Sequence, residues 1–153
     1  MPDSKGLKVA LDLATTRRDA AARALAQVRQ QWLAAQIQLD QLESYAQESL
    51  ARWTVQSALC TPELMRHHYQ FMDRLGHAIT LQTHMLREHG QSVEHHAVTL
   101  REAEARVESL RQLIDARQQD AQRLAARRDQ KVSDEQASML YRRHAGGRMG
   151  GVL

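Results

Sequence analysis

The stretch CTPEL, residues 60–64, contains the only internal proline of the chain and marks its one predicted turn. Thr61 is a favourable N-cap residue, and Pro62 suits the first position of a helix. Glu63 then lies where the helix dipole favours an acidic side chain. We therefore predict that a helix begins near Pro62, after a short turn over residues 58–61. Such a short connection favours antiparallel packing of the two helices that it joins.

Upstream of this turn, apolar residues recur at alternating steps of four and three, which is the spacing of a left-handed coiled coil. The positions of this stripe are Leu7, Leu11, Ala14, Arg18, Ala21, Leu25, Val28, Trp32, Ala35, Leu39 and Leu42. Arg18 is the one charged member, and its aliphatic stem can cover the stripe while its charge reaches water. The pattern predicts a first helix over about residues 5–57.

Downstream of the turn, a seven-residue repeat continues without a change of phase. It consists of Met65, Met72, Ile79, Leu86, Val93, Leu100, Val107, Ile114 and Ala121. The companion seam positions are mixed: His68, Leu75, Gln82, His89, His96, Ala103, Leu110, Arg117 and Leu124. Polar residues in a coiled-coil seam cost stability and can fix the register. The repeat predicts a second helix over about residues 62–143, continuous through Gly76 and Gly90.

The two patterns together predict an all-α fold, a long antiparallel two-helix coiled-coil hairpin over residues 1–145. A flexible glycine-rich tail is expected over residues 146–153. At 1.5 Å per residue the helices would be roughly 80 Å and 120 Å long. With the chain folded back near residue 60, Leu7 lies opposite about residue 113, so the second helix should extend beyond its partner.

The overhang contains the polar stretch RRDQKVSDEQA, residues 127–137, which includes neither glycine nor proline. Its polar composition follows if nothing in its own chain packs on it. Pairs four residues apart, such as Lys131 with Glu135, would support such a helix. We expect this segment to be available to another protein.

The composition agrees with long helices rather than a compact globule. The chain has 153 residues, enough for one domain, but only 4% of them are aromatic. Cys60 is the single cysteine, so an internal disulfide is impossible. No stretch of about 18 apolar residues is present, and the N-terminus lacks the apolar core of a signal peptide. A soluble protein without a cleaved signal is therefore expected.

No motif in the sequence predicts catalysis, a cofactor or a metal. Four of the eight histidines lie in the stretch HMLREHGQSVEHH, residues 84–96, without the spacing of a zinc site. His89 and His96 fall seven residues apart on the seam, which favours a role as polar seam residues. The arginine pairs at 17–18, 127–128 and 142–143 are separated by acidic residues, whereas nucleic-acid binding favours a segregated basic patch.

Three stretches together resemble the FliJ family of the bacterial flagellar type III export apparatus. These are QLDQLESYAQE (residues 38–48), YQFMDRLGHAI (residues 69–79) and DQKVSDEQA (residues 129–137). Their order and spacing agree with the family over about residues 5–143. The D-Q-K-x-x-D-E pattern is more specific than the heptads, because heptads resemble one another.

The resemblance implies a non-enzymatic coiled-coil protein of the cytoplasm, associated peripherally with the inner membrane at the flagellar base. It implies binding to the hexameric export ATPase, the cytoplasmic domain of the export gate and the export chaperones. Phe71 and Leu75 match the family's aromatic–leucine pair, which implies an export-gate contact. The ATPase-facing motif is matched by Asp129, Gln130, Lys131, Asp134 and Glu135.

Three alternatives remain open at the level of sequence. The corresponding stalk of a virulence injectisome shares the hairpin, although the terminal motif favours the flagellar version. A general coiled-coil chaperone or scaffold would bind varied clients along the polar seam. A nucleic-acid-binding coiled coil is disfavoured by the mixed charge, and its binding would weaken steeply with salt.

Overall fold

The computed structural model describes the backbone of residues 2–150 and the side chains of residues 4–147. The described chain forms two α-helices, α1 (Pro2–Gln56) and α2 (Pro62–Gly150). A single turn of 3₁₀-helix, Ser57–Leu59, follows α1. Residues 2–150 contain no strand. The predicted all-α hairpin with a longer second helix is confirmed.

The turn is formed by the residues that predict it. Cys60 is extended, with φ −91° and ψ 142°, and breaks the helical path. The Thr61 hydroxyl accepts a hydrogen bond from the backbone N–H of Leu64 at 3.3 Å. The Thr61 carbonyl accepts the N–H of Met65 at 3.1 Å, which is the first bond of α2. Thr61 therefore caps α2 as predicted, because its side chain satisfies one of the free N–H groups of the first turn.

The chain divides into two compact units, the first of which is the hairpin unit, residues 13–107. Within it, contacts join late positions of α1 to early positions of α2, as antiparallel packing requires. The Trp53 ring stacks on the His68 ring with centroids 4.0 Å apart, and the Tyr45 ring meets the edge of Phe71 at 5.7 Å. The buried side chains of this unit all occupy predicted seam positions: Ala14, Leu25, Ala35, Leu39, Leu75, Gln82 and Val107.

Gln82 is the buried polar residue of this seam. Its side-chain amide donates hydrogen bonds to the Ala35 carbonyl and to Oε1 of Gln38, both at 3.1 Å. Because both acceptors lie on α1, a shift of α2 along α1 would break them. Gln82 thus makes contacts of the kind that the prediction of register-fixing polar seam residues requires, and its role in register stays a prediction.

The second unit is the terminal unit, residues 1–12 and 108–153. Leu110 is buried in it, and Leu7, Leu11 and Ile114 are half-buried. Every side chain from Asp115 to Gly147 is exposed. The predicted overhang is thus present as a helix on which no other part of its own unit packs closely enough to bury a side chain.

The end of α2 differs from the prediction. The helix continues through Gly146 and Gly147 to Gly150, seven residues beyond the predicted boundary. No glycine in the described chain has a positive φ, so none adopts the left-handed conformation that terminates many helices. The last three residues of the predicted tail, 151–153, lie outside the described residues.

Candidate partner-binding surfaces

The charged segment, residues 127–135, is fully exposed on the helical part of the terminal unit. The five residues that match the terminal motif (Asp129, Gln130, Lys131, Asp134 and Glu135) all lie within two turns of α2. Helical geometry places Arg127, Lys131 and Glu135 in a row at four-residue spacing, and Asp129 on another side. The segment therefore offers charges of both signs in several directions around one helix.

The internal contacts of this segment differ from those predicted. Lys131 and Glu135 do not form an ion pair in the described structure; instead, Gln130 donates its side-chain amide to Asp134 at 3.1 Å. The i,i+4 hydrogen bond of this segment thus joins Gln130 to Asp134, and Lys131 and Glu135 are exposed. Within residues 4–147, Arg127, Arg128 and Lys131 form no ion pair shorter than 4.0 Å. These cations remain available for acidic partners.

The second predicted surface contains Phe71 and Leu75, which lie one turn apart on α2 in the hairpin unit. Leu75 is a core residue, with only 6% of its surface exposed. Phe71 is 39% exposed and packs edge-on against Tyr45, which is itself 48% exposed. A partner would therefore meet the rings of Phe71 and Tyr45 before it met Leu75. The export-gate role of Phe71 and Leu75 stays a prediction.

The aromatic contacts near the turn were not predicted from the sequence. Trp53 stacks on His68 and also lies 6.4 Å from the ring of Tyr69. The antiparallel register could have indicated this cluster, because residues equally distant from the turn face each other. The contact of Tyr45 with Phe71 does not follow from this rule, because Tyr45 lies 15 residues before residue 60 and Phe71 only 11 after it.

Two histidines of residues 84–96 make local contacts along α2. His84 lies 3.2 Å from Glu88, and Nδ1 of His96 is 2.8 Å from the carbonyl of Ser92. Among the residues searched, no group of three or more His, Cys, Asp or Glu side chains is arranged to hold a metal ion.

An apolar groove of about 540 Å³ lies in the terminal unit, between the first turns of α1 and the facing part of α2. It is lined by Ser4, Leu7, Lys8, Ile114, Arg117, Gln118, Asp120, Ala121 and Leu124. Ala121 and Leu124 continue the seam repeat yet are exposed, Leu124 by 48%. Seam residues without a facing helix leave apolar surface that a partner helix can cover.

None of the described helices has a segment both long and apolar enough to cross a membrane. A family model described as Flagellar FliJ protein matches residues 4–146 of the chain. No curated protein and no solved structure shows significant similarity to the chain. The match covers nearly the whole chain and confirms the resemblance drawn from the three short stretches.

Proposed function

We propose that this chain, which belongs to the FliJ family of flagellar proteins, acts as a stalk and adaptor of the export apparatus. Proteins of the FliJ family are non-catalytic components of that apparatus. In this proposal the chain is not an enzyme and needs no cofactor. It binds the export ATPase hexamer, the cytoplasmic domain of the export gate and the export chaperones.

One observation supports the proposed ATPase contact: residues 115–147 form an exposed helix that includes the charged segment. An unsupported helix of this kind is marginal in water, because its stability comes from propensity and side-chain pairs alone. Insertion into a ring of identical subunits would surround it with contacts on every side. Cations and anions on different sides of α2 suit such a ring better than they suit one flat partner.

The contact of the charged segment would be mainly electrostatic. Lys131 and Arg127 have no ion pair within the described part of the chain, and Glu135 lies one turn further along the same row. An ion pair on an open surface contributes little, whereas close charge pairs at protein interfaces can couple by several kcal/mol. Reversal of one cation should therefore weaken the complex through repulsion as well as through a lost pair.

The export-gate contact is proposed at Phe71, with Tyr45 beside it. Two half-exposed aromatic rings in mutual contact form an anchor of the kind that dominates many protein interfaces. Leu75 would contribute by holding this part of α2 in place, because it is buried. Through the gate the protein would be cytoplasmic and peripherally associated with the inner membrane. For the chaperones we propose binding without assigning residues.

ATP turnover by the flagellar export ATPase, measured with and without the chain, tests this proposal. We expect the wild type to raise turnover and Lys131→Glu to abolish the increase. Arg66→Glu is the matched control, because Arg66 is an exposed cation without an ion pair in the described chain and lies in the hairpin unit. Its stimulation should equal that of the wild type.

Two outcomes would count against the proposal in different ways. If Lys131→Glu stimulated as well as the wild type, the contact would lie outside the charged segment. If the wild type neither stimulated the ATPase nor co-sedimented with it, the stalk function itself would be wrong.

A further inference from the structure

A second groove lies in the hairpin unit, away from the residues assigned above. It has a volume of about 480 Å³ and is lined by Arg29, Trp32, Leu33, Gly90 and Val93. Its walls are apolar except for Arg29. Helix α1 contributes Trp32 and Leu33, and α2 contributes Gly90 and Val93, so the groove runs between the two helices.

The groove exists because α2 has no side chain at Gly90. Trp32 occupies a seam position, yet 37% of its surface is exposed, and Leu33 beside it is 53% exposed. A Cβ at position 90 would lie 3.6 Å from Nε1 and 3.9 Å from Cδ1 of Trp32. A side chain larger than alanine at position 90 would therefore lie against the indole and take up part of the groove.

The charges around the groove are unbalanced. Between Asp19 and Asp40, α1 carries two charged residues, Arg23 and Arg29, and no acid. On α2, Arg87 lies one turn before Gly90.

The acids of this part of α2 already have partners. Glu88 lies 3.2 Å from His84, and Glu94 lies 3.7 Å from Arg101. Arg29 and Arg87 form no ion pair in the described chain. The groove thus combines an apolar floor with arginines that have no acidic partner of their own.

We propose that this groove binds an amphipathic helix of a partner protein, with a bulky apolar side chain in the gap over Trp32 and Gly90. Acidic residues on the flanks of that helix pair with Arg29 and Arg87. An exposed tryptophan in a depression is a common anchor of interfaces, and a helix laid in an apolar groove is a recurrent recognition mode. Nucleic acid fits the site less well, because the floor of the groove is apolar.

This inference goes beyond the proposed function and does not depend on it. It uses no residue of the charged segment and neither Phe71 nor Tyr45. A negative result in the ATPase assay would not affect the prediction of peptide binding in the groove. A variant that blocks the groove should stimulate the ATPase as the wild type does.

The test uses the full chain and a dye-labelled synthetic helix of about five turns as the probe, with binding followed by fluorescence anisotropy. The probe carries leucines at steps of three and four and glutamates on both flanks. A twin peptide replaces every glutamate by lysine. We expect saturable binding of the acidic probe with a Kd below about 100 μM and at least about tenfold weaker binding of the twin.

Variants locate the site. Gly90→Leu should obstruct the groove beside Trp32 and weaken binding of the acidic probe at least about tenfold. Gly76→Leu is the matched control: Gly76 occupies the same heptad position two repeats earlier, and a Cβ there meets nothing within 4 Å. It should bind as the wild type does. Arg29→Glu should reduce or reverse the difference in affinity that favours the acidic probe over its lysine twin.

Three results would overturn the proposal. The first is equal binding of the two peptides, and the second is acidic-probe binding that survives Gly90→Leu. The third is no saturable binding of the acidic probe. If a single-stranded oligonucleotide bound instead, in a salt-sensitive way, the arginines would form a phosphate-binding surface.

Discussion

Phe71 and Leu75 lie one helical turn apart, but their side chains have different surroundings. Leu75 is buried in the seam between α1 and α2, whereas Phe71 lies at the edge of that seam and shares its exposed surface with Tyr45. A residue that is buried supports binding through the fold, and a residue that is exposed can touch a partner directly. The effects of Phe71 and Leu75, both predicted to contact the export gate, should therefore be separable by mutation.

We expect Leu75→Ala to lower the free energy of unfolding by about 2–4 kcal/mol, because a buried leucine is lost and a cavity is left. Phe71→Ala should cost only about 1 kcal/mol, mainly from its contact with Tyr45. Binding to the cytoplasmic domain of the export gate, measured by calorimetry where both variants are folded, should weaken at least about tenfold for Phe71→Ala. A folded Leu75→Ala protein that lost binding while Phe71→Ala kept it would show that the hairpin opens to expose Leu75.

At the same scale, Gln82 shows how far residue identity alone could predict the structure. The heptads place Gln82 on the seam, and a polar seam residue predicts a role in register. Its acceptors, the Ala35 carbonyl and Gln38, could not be predicted, because they depend on how far α2 is shifted along α1. A shift of about one residue would have offered the amide different groups on α1.

Among the elements, α2 combines great length with glycines in its interior. Gly76 and Gly90 lie in the hairpin unit, where the helix is continuous through both. Glycine in a helix interior costs about 1 kcal/mol relative to alanine, because the unfolded chain is freer. At Gly76 a Cβ meets nothing within 4 Å, so nothing in the described structure requires glycine there.

Gly76→Ala should therefore raise the free energy of unfolding by about 0.5–1 kcal/mol, as measured by urea denaturation followed through tryptophan fluorescence. Gly90→Ala should have a similar effect, because the new methyl group would lie at an ordinary contact distance of 3.6 Å from Trp32. Gly146→Ala is the control: it is equally open but lies in the terminal unit, so the fluorescence transition should not move. Destabilisation by Gly76→Ala would mean that the helix is interrupted there in solution.

The elements themselves were largely predictable from the sequence. Thr61 and Pro62 fixed the start of α2, and the stripe of α1 placed its buried residues correctly from Ala14 to Leu39. The end of α2 was predicted too early, because glycine weakens a helix without ending it unless its backbone turns left-handed. The exposure of Trp32 was missed, because a seam stripe on one helix does not show that the facing residue is a glycine.

For the whole molecule, burial is distributed unevenly between the two units. Among residues 4–147, the hairpin unit contains seven of the eight buried residues, and Leu110 is the one in the terminal unit. Apolar burial is the main source of folding stability, and a helix without tertiary contacts relies on propensity and local pairs. The candidate site for the ATPase thus belongs to the least buried part of the chain, where local opening costs least.

This uneven burial predicts that the chain does not unfold in a single step. Residues 115–147, about a fifth of the described chain, are helical and fully exposed, so they should lose structure before the hairpin unit does. Far-UV circular dichroism reports every helix, whereas tryptophan fluorescence reports the hairpin unit alone, because both tryptophans, Trp32 and Trp53, lie in it. On heating, the dichroism signal should therefore begin to fall at a lower temperature than the fluorescence signal.

A chain ending at Leu124 should bring the two transitions together, because most of the unsupported helix is then absent. Coincident transitions in the full chain would contradict the prediction and indicate that the exposed helix is stabilised in solution, for which self-association is the first explanation to test by analytical ultracentrifugation.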